Sequence, residues 1–124
     1  MPARSACVVA GATPDQVRGV GAPATVTVVA NRLGALVTGA SLGGLPVDLA
    51  AELPGPVYDV LYNPQTGWFA VTVYRGETRP VRWDNRPQEP CGYPRVAEIL
   101  GATTPLAILA ELDVPASALG YVEA

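Results

Sequence analysis

The chain has 124 residues, 49% of them apolar and 15% charged, and this predicts one domain (residues 1–124) with a single hydrophobic core. Arginine supplies all eight positive charges against eleven carboxylates, and the sequence contains no histidine and no lysine. The net charge of -3 argues against binding to nucleic acid or to an anionic membrane, because both require a basic surface. Without histidine or lysine, the chain cannot build a Ser-His-Asp triad, a lysine Schiff base or a P-loop.

The first half of the chain predicts short elements separated by turns. "ACVVAGA" is typical of a buried strand, and Thr13 followed by Pro14 predicts the start of a short helix that Gly19 and Gly21 end. The β-branched alternation of "ATVTVVA" predicts a strand from Ala24 to Ala30. An Asn31–Gly34 turn then leads into the strand "ALVTG", so these segments predict a hairpin.

Between this hairpin and the centre of the chain, "LPVDLAAELPG" predicts a short helix. Pro46 stands near its start and Pro54-Gly55 beyond its end, which leaves about two turns from Val47 to Leu53.

The centre of the chain predicts a three-stranded antiparallel meander. Its strands are "VYDVLY", "WFAVTVYR" and "RPVRWD", with turns at "NPQTG" and "GET". If the first turn has five residues, Tyr62 pairs with Trp68 and Leu61 with Phe69. Strand alternation then gives a core face of Val57, Asp59, Leu61, Phe69, Val71, Val73, Val81 and Trp83. The opposite face carries Tyr58, Val60, Tyr62, Trp68, Ala70, Thr72, Tyr74 and Arg82.

The character of the sequence changes after Asp84. "NRPQEPCG" predicts an irregular loop over residues 85–93, and residues 94–124 predict a helical tail with helices beginning at Pro94 and at Thr104-Pro105. The sheet-rich part covers residues 1–84. The prediction is therefore an α+β fold: a small single domain of mostly antiparallel sheet, an N-terminal hairpin plus a central meander, with short helices, two of them at the C-terminus.

Two further patterns imitate functional sites. "GASLG" places Ser41 where a nucleophile elbow would have its serine, but no histidine is available to take the serine proton. Cys7 and Cys91 either pair or stay free, and two reduced thiols are the favoured interpretation for a cytoplasmic chain. Two thiols without histidine do not make a zinc site, so neither a metal nor another cofactor is expected.

Asp59 is the candidate catalytic residue, because a carboxylate on the core face would have a raised pKa unless it is paired. The candidate binding residues are Tyr58, Tyr62, Trp68, Tyr74, Arg82 and Arg86. Tyrosine, tryptophan and arginine are favoured at the centres of protein interfaces. The sequence leaves open whether helices cover the aromatic face or leave it exposed.

Two functional hypotheses follow. The first is a non-catalytic, acidic protein-binding domain, such as an inhibitor, an immunity-type protein or an assembly accessory protein. It would use the aromatic face and the Arg/Pro loop. The second is a small-molecule-binding protein, or an isomerase or hydrolase with Asp59 as base in a pocket between sheet and helices. A protein partner in a bacterial cytoplasm is expected, and a meander edge offers a second copy a place to pair.

Overall fold

The computed structural model describes residues 4–21, 26–39, 42, 44–53, 55–75, 81–84 and 104–119, with the backbone alone for 81–84. The strands, in chain order, are β1 (Arg4–Ala10), β2 (Thr27–Ala30), β3 (Gly34–Gly39), β4 (Val57–Asn63), β5 (Trp68–Tyr74) and β6 (Val81–Asp84). The helices are α1 (Pro14–Val20), α2 (Leu45–Glu52) and α3 (Pro105–Leu112), and a 3-10 turn follows at Ala116–Leu119. The predicted α+β fold is confirmed.

All the strands join one antiparallel sheet in the order β2-β3-β1-β4-β5-β6. The predicted hairpin is β2-β3 and the predicted meander is β4-β5-β6. β1 lies between them and pairs with both, so it joins two locally formed units into one sheet. The part from β1 to β4 has the split β-α-β arrangement, in which each helix connects strands that are not neighbours.

Local chemistry explains where the helices begin and end. The Thr13 side chain accepts a hydrogen bond from the Gln16 backbone, and the Gln16 side chain accepts one from the Thr13 backbone. This capping box starts α1, and Gly21, with a φ of 113°, ends it in the left-handed region. The Thr104 side chain starts α3 in the same way by accepting a hydrogen bond from Ala107 N–H. The short helices predicted from Pro14, Pro46 and Pro105 are therefore confirmed.

Both faces of the sheet are apolar, and helices cover each of them. On the helix-pair face, α1 and α2 pack on the sheet in a cluster made of Cys7, Val9, Ala12, Val17, Val28, Ala35, Val37, Leu42, Leu45, Leu49 and Val57. On the tail face, the C-terminal elements pack on it in a cluster made of Ala6, Val8, Leu36, Val60, Tyr62, Phe69, Val71, Val73, Ile108, Leu109, Leu112, Val114 and Leu119. The sheet is thus the middle layer of three.

The predicted register between β4 and β5 is wrong by one residue. Asn63 pairs with Trp68 and Tyr62 with Phe69, so the connecting loop has four residues instead of five. Asn63 continues β4, and its side chain accepts a hydrogen bond from Gln65 N–H. Gly67 then closes the turn with a φ of 74°. A shift of one residue moves every side chain of one strand to the other face relative to its partner.

The consequence is that neither predicted face exists as written. Phe69, Val71 and Val73 share the tail face with Val60, whereas the β5 residues between them lie on the helix-pair face. The predicted pairing of the second corner is correct, since Val71 lies opposite Trp83 and Val73 opposite Val81.

A polar clamp fixes the C-terminal end of α3 to the β2-β3 turn. The Asn31 side-chain amide donates to Leu112 O at 3.0 Å, and the Arg32 guanidinium donates to Ala110 O and Glu111 O at 3.2 and 2.9 Å. The Asp113 carboxylate accepts the Arg32 backbone N–H at 2.8 Å. The bonds to Glu111 O and Leu112 O satisfy carbonyls at the end of the helix, whereas Ala110 O also accepts the Asp113 backbone N–H. Together these bonds hold the tail on the sheet.

Some sequence predictions fall on parts of the chain that the structure does not describe. These are the loop at 85–93, the helix from Pro94, Ser41, Cys91 and Arg86. Within the described ranges, no helix is long and apolar enough to cross a membrane.

Candidate functional site

The helix-pair face extends over β4 and β5 beyond the apolar cluster under α1 and α2. Strand alternation and the register place a set of partly buried side chains there: Asp59, Leu61, Asn63, Trp68, Thr72 and Tyr74. We call this set the β4-β5 surface. Of its apolar and aromatic members, Tyr74 packs against the cluster under the helices. The surface mixes two aromatic rings with hydroxyl, amide and carboxylate groups.

The four predicted aromatic binding residues do not share a face, and this corrects the sequence interpretation. Tyr58 and Tyr62 lie on the tail face, where Tyr62 is buried in the core and Tyr58 packs against it. Trp68 and Tyr74 lie on the other side of the sheet. Helices therefore cover one half of the predicted aromatic face, while the other half is partly exposed.

Of the two arginines predicted to bind a partner, the structure describes only the backbone of Arg82. The Arg82 backbone lies opposite Thr72, which puts position 82 on the helix-pair face beside the β4-β5 surface. Its side chain is not described. Arg86 lies outside the described residues.

Asp59 shares its face with Val57 and Leu61, as predicted, but not with Phe69 or Val71. Its backbone neighbours across the sheet are Cys7 on β1 and Thr72 on β5. Asp59 is partly buried, whereas Cys7 is fully buried and is a free thiol. The carboxylate therefore lies at the border between the buried cluster and the β4-β5 surface.

The Cys7 thiol is in an environment that suppresses its reactivity. Burial, and secondarily the negative charge of Asp59, raise the pKa of the Cys7 thiol well above its ordinary range. The thiolate is the nucleophilic form of cysteine, so at neutral pH this side chain is a protonated, inert part of the core. Asp59 therefore does not activate the Cys7 thiol.

The described strand neighbours of Asp59 offer little for acid-base chemistry. The residues opposite and beside it bring a hydroxyl, a buried thiol and apolar side chains. In the part of the chain that the structure describes, no three cysteine, aspartate or glutamate side chains lie close enough to hold a metal ion. The arrangement suits hydrogen bonding and apolar contact with a partner more than bond-making chemistry.

The sequence did not predict which β4 residues lie on the same face as Trp68 and Tyr74. Asp59 and Leu61 share a face with Trp68, Thr72 and Tyr74 only in the observed register. The signal was present in "NPQTG", because asparagine followed by proline favours a tight turn in which the asparagine remains at the strand end. Its final glycine supplies the positive φ.

Comparison of the chain with protein family models, with curated proteins and with solved structures gives no match.

Proposed function

We propose that this chain is a non-catalytic protein-binding domain and that the β4-β5 surface is its contact surface. The observation that carries the proposal is the position of Trp68 and Tyr74, two partly exposed aromatic side chains on one face of the sheet, with Tyr74 at the border of the cluster under α1 and α2. Aromatic side chains give a large rigid contact area with a polar group at the edge, and they dominate binding energy at protein interfaces.

The neighbours of the two aromatic residues fit the same role. Leu61 adds apolar area, and Thr72 and Asn63 add hydrogen-bonding groups of the kind found at interface rims. Asp59 supplies the charge near the centre of the surface. An inhibitor, an immunity-type protein and an assembly accessory protein would all use such a surface.

The chemistry of the chain supports a binding role over catalysis. Its sequence has no histidine and no lysine, and its buried thiol is held protonated. Enzymes perturb a carboxylate, a thiol or an amine so that the group reacts, whereas burial makes Cys7 less reactive.

The test is affinity capture from host lysate with the tagged chain and two matched double variants. Trp68→Ala with Tyr74→Ala removes the proposed contacts. Val47→Ala with Leu106→Ala truncates two exposed side chains elsewhere, on α2 and α3. We expect one stoichiometric protein to be retained by the wild type and the control pair and lost with the first pair, which circular dichroism must show to be folded.

Two outcomes would overturn the proposal. One is retention of the same protein by all three forms, which would place the interface elsewhere. The other is the absence of any stoichiometric partner. In that case a metabolite screen of the wild type beside Asp59→Asn would test the alternative of a small-molecule site that uses this carboxylate.

A further inference from the structure

The outer edge of β2 presents backbone groups that no described strand uses. β2 is the first strand in the sheet order and pairs with β3 alone. Asn31 and Gly34 exchange two backbone hydrogen bonds, at 3.0 and 3.2 Å, across the turn. Bonded and non-bonded pairs alternate along an antiparallel ladder, so Val28 and Ala30 direct their N–H and C=O groups away from β3.

One of these outward groups is occupied by a side chain from α1. The Arg18 guanidinium donates to Val28 O at 2.8 Å, and it also forms an ion pair of 3.3 Å with Asp15 one turn earlier. Val28 O, an acceptor that a further strand would use, is therefore already bonded to a side chain of the same chain. Charged side chains at a sheet edge are a known protection against edge-to-edge pairing.

We propose that the outer edge of β2 is able to pair with the same edge of a second copy of this chain, and that Arg18 prevents this pairing in the wild type. Two identical strands in antiparallel pairing are related by a two-fold axis, so the contact is self-complementary. With the axis at Val29, each Val28 pairs with Ala30 of the other copy, and both residues use their outward groups. This proposal is independent of the β4-β5 surface.

The side chain at the axis favours the same occupant. Val29 is 45% exposed, and among the described residues only Val47 and Leu106 are other large apolar side chains with comparable exposure. In the paired arrangement, Val29 lies directly opposite its own copy, and facing β-branched side chains stabilise a strand pair. β2 has only four residues, so the pairing is weak and depends on protein concentration.

The test compares the molar mass of variants in solution across a range of concentrations by light scattering or sedimentation. Arg18→Met keeps the aliphatic stem and removes the guanidinium. We expect its mass to rise with concentration towards twice 12.8 kDa, while the wild type stays at 12.8 kDa. Asp15→Asn removes the ion pair but leaves the bond to Val28, and it is expected to remain monomeric.

A second substitution locates the contact. Ala30→Pro in the Arg18→Met background removes an outward N–H that β3 does not use, and edge strands tolerate proline at such positions. We expect this double variant to return to the monomer. A monomeric Arg18→Met variant, a dimer that survives Ala30→Pro, or a wild type that already associates through β2 would each overturn the proposal. Loss of the fold in Arg18→Met would also overturn the proposal, because it would show that the bond from Arg18 to Val28 O is needed for folding.

Discussion

Replacing Asn31 with alanine tests whether the clamp between the β2-β3 turn and α3 stabilises the fold. The substitution removes the donor to Leu112 O and the acceptor of Leu33 N–H, both in a partly buried setting. It also removes the side-chain acceptor of Gly34 N–H, which keeps its backbone partner Asn31 O. A second contact of the amide, to Asp113 O at 3.5 Å, is too long to add much.

The expected cost follows from Leu112 O and Leu33 N–H, the two groups for which Asn31 is the one hydrogen-bond partner among the described residues. A partly buried carbonyl or N–H left without a hydrogen bond costs about 1 kcal/mol, so Asn31→Ala should lower the free energy of unfolding by about 2 kcal/mol. With a urea m-value of about 1.5 kcal/mol per molar, the midpoint of unfolding falls by about 1.3 M. Equilibrium urea unfolding, followed by tryptophan fluorescence and by far-ultraviolet circular dichroism, measures both quantities.

Two further variants separate the parts of the clamp. Asn31→Asp keeps the acceptor for Leu33 N–H but places a negative charge beside the carbonyl end of α3, so it should also destabilise the chain. Arg32→Ala removes bonds to exposed carbonyls and should cost less than about 1 kcal/mol. The reasoning is refuted if Asn31→Ala costs less than about 0.5 kcal/mol, or if Arg32→Ala costs as much.

Three other measurements test the packing of the core. Because the pKa of Cys7 is raised in the folded chain, its thiol ionises first in the unfolded chain. Stability should therefore fall by about 1.4 kcal/mol per pH unit above pH ~9, and Cys7→Ala should remove this slope. An equal slope in both forms would contradict the assignment to Cys7. Phe69→Ala should cost about 3 to 5 kcal/mol and the partly exposed Trp68→Ala clearly less, as urea unfolding would show. The reverse order would contradict the burial of Phe69 in the core of the tail face. Gly34→Ala directs its methyl group at the Val9 carbonyl and should lower the melting temperature by about 10 °C or more. An unchanged melting temperature would show that the backbones at Gly34 and Val9 can move apart to make room for the methyl group.

Local chemistry in the sequence was sufficient to predict most of the elements. Thr13, Pro14 and Gly21 define α1 through contacts within a few residues, and the strands of the hairpin and the meander follow from alternation. No local pattern in the sequence predicts the position of β1 in the sheet. The sequence of a short apolar strand does not indicate which strands will be its neighbours. The assembled sheet shows that β1 pairs with both β3 and β4.

The candidate site was harder to predict because it depends on a register. Whether Trp68 lies opposite Tyr62 or Asn63 is decided by one residue in the turn, and this choice determines which aromatic residues share a face. Alternation within each strand was correct, so Asp59 was placed correctly beside Leu61. The polar clamp was missed for a different reason: Asn31 and Asp113 lie about 80 residues apart, and no local pattern links a turn to a distant helix end.

The central position of β1 has a consequence for the order in which the chain folds. Its partners lie about 30 and about 50 residues further along the chain, whereas the β2-β3 and β4-β5 hairpins close over a few residues. Hairpins form within microseconds, but distant strand pairings slow folding to milliseconds or seconds. We therefore expect β1 to dock last, between two hairpins that already exist. Until it docks, each hairpin has one unsatisfied inner edge, and this interval is when the chain is most exposed to aggregation.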